Sequence, residues 1–110
     1  MTIEIDIAKD FSRKPFGRDE LDGKYSGKRF REEHLIPAFQ HSDDEHLKIY
    51  LDGVDRGFGS SFLEEAFAGL LRQNIDYPTI VKRLIIETCN QDYENEIWEY
   101  INEQHERGNP

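Results

Sequence analysis

The sequence predicts an α/β fold, a small sandwich in which helices pack on a mixed sheet of about four strands. Three observations carry that expectation. Residues 3–7 and 47–52 alternate apolar and polar side chains with the period of a strand. Segments 26–40, 61–71 and 92–106 repeat apolar residues at the spacing of one helix face. The two kinds of segment alternate along the chain over short connections, as helices do when they cross between parallel strands.

Ile3, Ile5 and Ile7 set β-branched side chains opposite Glu4 and Asp6, so the chain opens on a half-buried strand. Residues 9–25 have no helical period. Pro15, Gly17 and the Asp22-Gly23 turn signal make them a loop or short hairpin, with a second short strand over residues 16–19 and with Phe16 and Tyr25 pinned to the core. Ser26 is placed to cap a helix that turns Phe30, His34 or Leu35, Ala38 and Phe39 inward. Pro37 has no N–H to donate, so that helix ends or kinks near Leu35 or Ile36.

Leu47, Ile49 and Leu51 form the next strand, and Gly53, Gly57 and Gly59 punctuate the turn after it. Phe62, Leu63, Ala66, Phe67, Leu70 and Leu71 then mark a helix face. A short helical turn around Tyr77-Pro78-Thr79 leads into Leu84-Ile85-Ile86, an unbroken apolar run expected to be buried on both faces. The last helix, 92–106, carries Tyr93, Ile97, Trp98 and Ile101 on one stripe and glutamates around it. One domain, residues 1–107, with a tail at 108–110, suits a chain of 110 residues.

Seven Phe, five Tyr and one Trp supply a core. A formal charge of −9 disfavours duplex nucleic acid and anionic membranes as partners, since both must be met by cations. Cys89 is the only cysteine, which excludes an internal disulfide and a cysteine-cluster metal site and fits a reducing compartment. It is expected to be half-buried packing. No apolar run approaches the ~18 residues of a membrane helix, and the first ten residues lack signal-peptide features, so a cytoplasmic location is expected.

Chemistry concentrates at Ser60 and Ser61, where a strand, a glycine-rich turn and a helix meet. Ser61 and Glu64 fit a capping box, with the hydroxyl closing the helix start and the glutamate reaching back. The functional alternative is phosphorylation at a helix N-terminus, with Glu64, Glu65 and Asp55 opposing the phosphate and Arg56 the nearby cation. A hydrolase reading lacks the glycine two residues after the serine and a histidine in any recognisable signature. The polar run from His41 to His46 lacks metal-ligand spacing. The glycines of the turn are not followed by the Lys-Ser or Lys-Thr of a phosphate loop. No catalytic residue, metal site or cofactor is assigned. An acidic inhibitor or nucleic-acid mimic stands as a further alternative.

Leu51-Asp52-Gly53-Val54, then Gly59-Ser60-Ser61-Phe62-Leu63-Glu64-Glu65-Ala66-Phe67, resemble small bacterial STAS-like domains of unassigned function, distant relatives of the anti-sigma-factor antagonists. Phe16-Gly17-Arg18 and Ser26-Gly27 with Phe30-Arg31-Glu32 share the likeness, which covers roughly residues 1–90. The resemblance implies a non-enzymatic regulatory domain that binds another protein, such as an ATP-binding protein of the histidine-kinase-like class. It also implies that Ser61, or its neighbour Ser60, falls on the phosphorylated position of the antagonists' Asp-Ser-Ser-Gly segment. Here Gly59 replaces that aspartate and Phe62 the following glycine. The expected contact face is Asp55, Arg56, Phe58, Gly59, Ser60, Ser61, Glu64 and Glu65, and the sequence leaves the oligomeric state open.

Overall fold

Residues 2–41 and 44–108 are described by the computed structural model. Ser42 and Asp43 of the polar run, and Asn109 and Pro110 of the tail, lie outside the described residues. Strands β1 (Thr2–Asp6), β2 (His46–Tyr50) and β3 (Leu84–Glu87) pair in the order β1-β2-β3, and both pairings are parallel. The register aligns Ile5, Ile49 and Ile86 in one row and Ile3, Leu47 and Leu84 in another. Those rows form the sheet's core face.

The opposite face is polar and only half-covered. Glu4, Lys48 and Ile85 share one row there, and Asp6, Tyr50 and Glu87 the next. Ile85 is therefore not buried on a second face, contrary to the reading of its apolar run. The helices cover one side of the sheet, and a strand's period of two sends Ile85 to the other.

Among the described residues the sheet has three parallel strands rather than about four in a mixed sheet. Residues 16–19 do not form a strand. Gly17 takes a left-handed φ of 85°, and the carboxylates of Asp19 and Asp22 accept from the backbone N–H of Leu21 and Arg18. The loop's backbone groups go to its neighbours instead: Phe16 N–H donates to Tyr25 at 2.9 Å, while Gly27 and Lys28 N–H donate to the carbonyls of Gly17 and Arg18. The loop thus satisfies two of the N–H groups that a helix start leaves free. Tyr25 packs edge-on against Phe11 as expected, but Phe16 is 65% exposed and Pro15 takes the buried place.

Helix α1, residues 27–41, comprises Gly27–Phe30, a π turn Arg31–Leu35 and Ile36–His41. Ser26 caps it, its hydroxyl accepting from Arg29 N–H. The helix does not end at Pro37. The widened turn just before the proline, where Ile36 N–H reaches back to the Arg31 carbonyl, absorbs the irregularity. Helix α2, residues 60–72, has the same build: Ser60–Leu63, a π turn Glu64–Ala68 and Gly69–Arg72. A π turn Ile7–Phe11 follows β1, and helices α3 (Tyr77–Arg83) and α4 (Gln91–Arg107) flank β3.

Helix α2 lies at the centre of the core. Phe62, Leu63, Ala66, Phe67 and Leu70 are fully buried, with Phe30 from α1, Ile97 and Ile101 from α4, and Leu47 and Ile49 from β2. A side chain the size of Phe67 gains about 2–3 kcal/mol from such burial. Helix α1 passes so close to α2 that a Cβ on Gly27 would stand 2.5 Å from the Phe62 carbonyl oxygen. Among the described residues no helix is long and apolar enough to cross a membrane.

Candidate functional site

The loop between β2 and α2 is braced at both ends. Asp52 accepts from Thr88 Oγ1 at 2.9 Å and from Cys89 N–H at 3.0 Å. Burial pushes its carboxyl up, but these bonds outweigh burial and hold it below its ordinary value. The same carboxylate pushes the Cys89 thiol up. Cys89 is exposed, not half-buried as expected, and a raised thiol is a poor nucleophile. Farther along, Asp55 N–H donates to the Arg13 carbonyl at 2.7 Å and its carboxylate meets Arg13 at 3.0 Å. Gly57 takes a φ of 80° and leaves room for the Tyr93 hydroxyl, which accepts from Phe58 N–H at 3.1 Å. Phe58 stacks edge-on to Tyr93 and tilts against Phe62.

Helix α2 then starts without a side-chain cap. Gly59 is the cap residue, in extended conformation, and the first backbone bond into the helix runs from Leu63 N–H to the Gly59 carbonyl. The capping box read from Ser61 and Glu64 is absent, because Ser60 already lies inside the helix and Glu64 is engaged elsewhere. The first turn's N–H groups are left for solvent or a ligand. Ser60 is exposed and Ser61 half-buried. Ser60 lies beside the Tyr100 hydroxyl, which donates to Glu96 at 2.7 Å.

One turn farther on, the helix is saturated. Glu64 receives Arg18 Nη1 at 2.5 Å and Arg72 Nη1 at 3.0 Å. Glu65 receives Arg31 Nη1 at 2.7 Å and Arg18 Nη1 at 3.1 Å. Arg31 is 5% exposed and donates as well to the Glu65 carbonyl and to Gln73, crossing α2 where Gly69 has no side chain. Arg72 also reaches Gln104 of α4. Burial raises both carboxyl groups, but the arginines more than offset it and hold them below the ordinary glutamate range.

The expected contact face therefore divides. Arg56, Phe58, Gly59, Ser60 and Ser61 gather at the helix start, with Asp55 behind them on Arg13. Glu64 and Glu65 face an arginine network and are not free surface acids. Three participants were missed. Arg18 supplies the cation that the local sequence around Ser61 lacks. Lys14 and Phe16 join Arg56, Phe58 and Gly59 in lining a cleft of about 630 Å³. Only the Phe16-Gly17-Arg18 run hinted at them. As for the histidines, His34 stacks on Phe30 and His105 on Tyr77. Among the described residues no three His, Cys, Asp or Glu side chains group to hold a metal ion.

A family model described as a STAS-like domain of unknown function matches residues 26–94, from the cap of α1 to the first turn of α4. The chain belongs to that STAS-like family. The matched span holds β2, the glycine turn, α2 and β3, hence the serine pair and its braces from Asp52 and Tyr93; β1 and the 9–25 loop, with Arg13 and Arg18, lie before it. No curated protein and no solved structure matches the chain significantly.

Proposed function

We propose that this STAS-like domain is a non-enzymatic regulatory module that binds a partner protein at the start of α2, with Arg56, Phe58, Gly59, Ser60 and Ser61 as the contact face. One observation carries the reading. The first turn of α2 has no side-chain cap and bears an exposed Ser60 and a half-buried Ser61, on a backbone braced by Asp52, Asp55 and Tyr93. A fixed surface with unsatisfied donors loses little entropy on binding. Family likeness to the anti-sigma-factor antagonists favours a histidine-kinase-like ATP-binding protein as the partner, in a reducing, cytoplasmic setting.

Phosphorylation is the proposed switch, with Ser61 first and Ser60 second. A phosphate adds close to two negative charges and three acceptor oxygens. From Ser61 it faces the residues three and four positions on, Glu64 and Glu65, which both hold Arg18. The dianion competes for Arg18 and draws on the free N–H groups, so the modification reshapes the loop that carries Arg18 as well as the contact face. Isothermal titration with the purified partner tests this, using Ser61→Ala, Ser61→Glu and the same pair at Ser60. Unchanged affinity across all four removes the switch. Intact mass from native cells reads the phosphate directly, and recovery of no specific partner removes the module itself.

A further inference from the structure

The cleft beside the serine pair has a chemistry of its own. One wall is Lys14 and Phe16 from the 9–25 loop, the other Arg56 and Phe58 from the loop before α2. Phe16 is 65% exposed, unusual for a large apolar side chain in this protein. Lys14 and Arg56 are exposed, and among the described residues neither forms an ion pair, whereas neighbouring Arg13 and Arg18 each hold a carboxylate. Both walls are preorganised. Pro15 is buried, Lys14 N–H donates to Ser12 Oγ at 3.0 Å, and the Arg13–Asp55 contacts tie the loop of one wall to the loop of the other.

Aromatic walls with exposed cations beside them match the apolar centre and polar rim of a protein–peptide interface. A small-molecule pocket instead has polar groups converging on its buried interior, and no buried charged side chain lines this cleft. We infer that the cleft receives a linear acidic segment of the partner carrying one large apolar side chain. Its carboxylates meet Lys14 and Arg56, and the apolar side chain lies between Phe16 and Phe58. Charge complementarity is what singles out this occupant. The chain as a whole carries −9 and repels acidic polymers; Lys14 and Arg56, without an ion pair among the described residues and brought together with Phe16 and Phe58 in one cleft, give a local exception where such a segment can dock. The inference rests on the partner-binding reading of the same face and adds the partner's chemistry.

Selection of displayed random twelve-residue peptides on the full chain tests it. Enriched peptides should place Asp or Glu around a single Phe, Leu, Ile, Trp or Met. Their affinity should fall about tenfold or more for the Lys14→Glu, Arg56→Glu double variant and fall steeply with added salt. Phe16→Ser should weaken them by a similar factor without altering the salt slope. Enrichment of neutral or basic peptides, no enrichment at all, or equal binding to the double variant overturns the inference. So does saturation of the cleft by ATP, GTP or inorganic phosphate in place of peptide. A photo-crosslinker at position 60 reads partner binding separately. Capture of the partner that survives the double variant overturns the acidic-segment assignment and leaves the partner-binding reading standing.

Discussion

The first and second turns of α2 face opposite fates. At Ser60 and Ser61 the backbone donors have no side-chain cap, Ser60 is exposed and Ser61 is half-buried. At Glu64 and Glu65, four residues along, two carboxylates are divided among three arginines from the loop, α1 and α2 itself. The contrast separates the polar groups that the fold itself uses from those it leaves over. Those consumed inside the fold hold α1, α2 and the 9–25 loop together; those left over at the helix start are the ones on which the proposed partner binding rests.

Breaking the saturated turn should have the largest effect. Arg31→Ala leaves a mostly buried Glu65 without its closest partner, and urea unfolding should show a loss of about 3 kcal/mol. Ser60→Ala should stay within about 0.5 kcal/mol. Equal losses at both positions would erase the contrast.

Acid should act on the same turn. Glu64 and Glu65 have folded pKa values below their unfolded ones. Their contribution is therefore complete above the ordinary glutamate range and fades as pH falls through the lowered folded values. Urea midpoints measured from pH 7 downward should drop across that window, and Arg31→Ala should flatten the drop. A slope unchanged by the substitution would mean that other carboxylates govern acid unfolding.

Arg18→Ala removes two partly exposed ion pairs, to Glu64 and Glu65, so its stability cost should be about 1 kcal/mol. Its effect on the proposed Ser61 switch should be larger: with Arg18 gone, the difference in partner affinity between Ser61→Glu and wild-type Ser61 should shrink, because only the contact at the helix start remains to respond. The smallest effect belongs to Gly59→Asp, which supplies the missing cap. Nothing lies within 4 Å of a Cβ built there, so the change should stabilise by a few tenths of a kcal/mol. It should also weaken partner binding by occupying the free N–H groups.

What could be read from the sequence followed locality. The strand at Leu47, the helix face from Phe62 to Leu71 and the stripe of α4 all rest on residues a few positions apart, and all three are present as expected. The serine pair was legible as a helix start for the same reason. Its cap was not, because Glu64 had a choice between its own helix end and Arg18 and Arg72, and ion pairing prevailed. The strand near Phe16 failed for a similar cause: its backbone groups found partners in Tyr25 and the start of α1.

By itself, then, the sequence determined the order of the elements apart from the strand near Phe16, the core residues of α2 and the position of the serines, since hydrophobic period and turn chemistry are short-range. Tertiary structure alone decided that the sheet has three parallel strands with one open face, that Arg18, Arg31 and Arg72 converge on two glutamates, and that Lys14 and Phe16 stand opposite Arg56 and Phe58. Apart from the Arg72–Glu64 pair within α2, those facts join residues far apart in the chain, as Arg18 joins Glu64, 46 positions away. Such contacts depend on how whole elements pack, which no local pattern encodes.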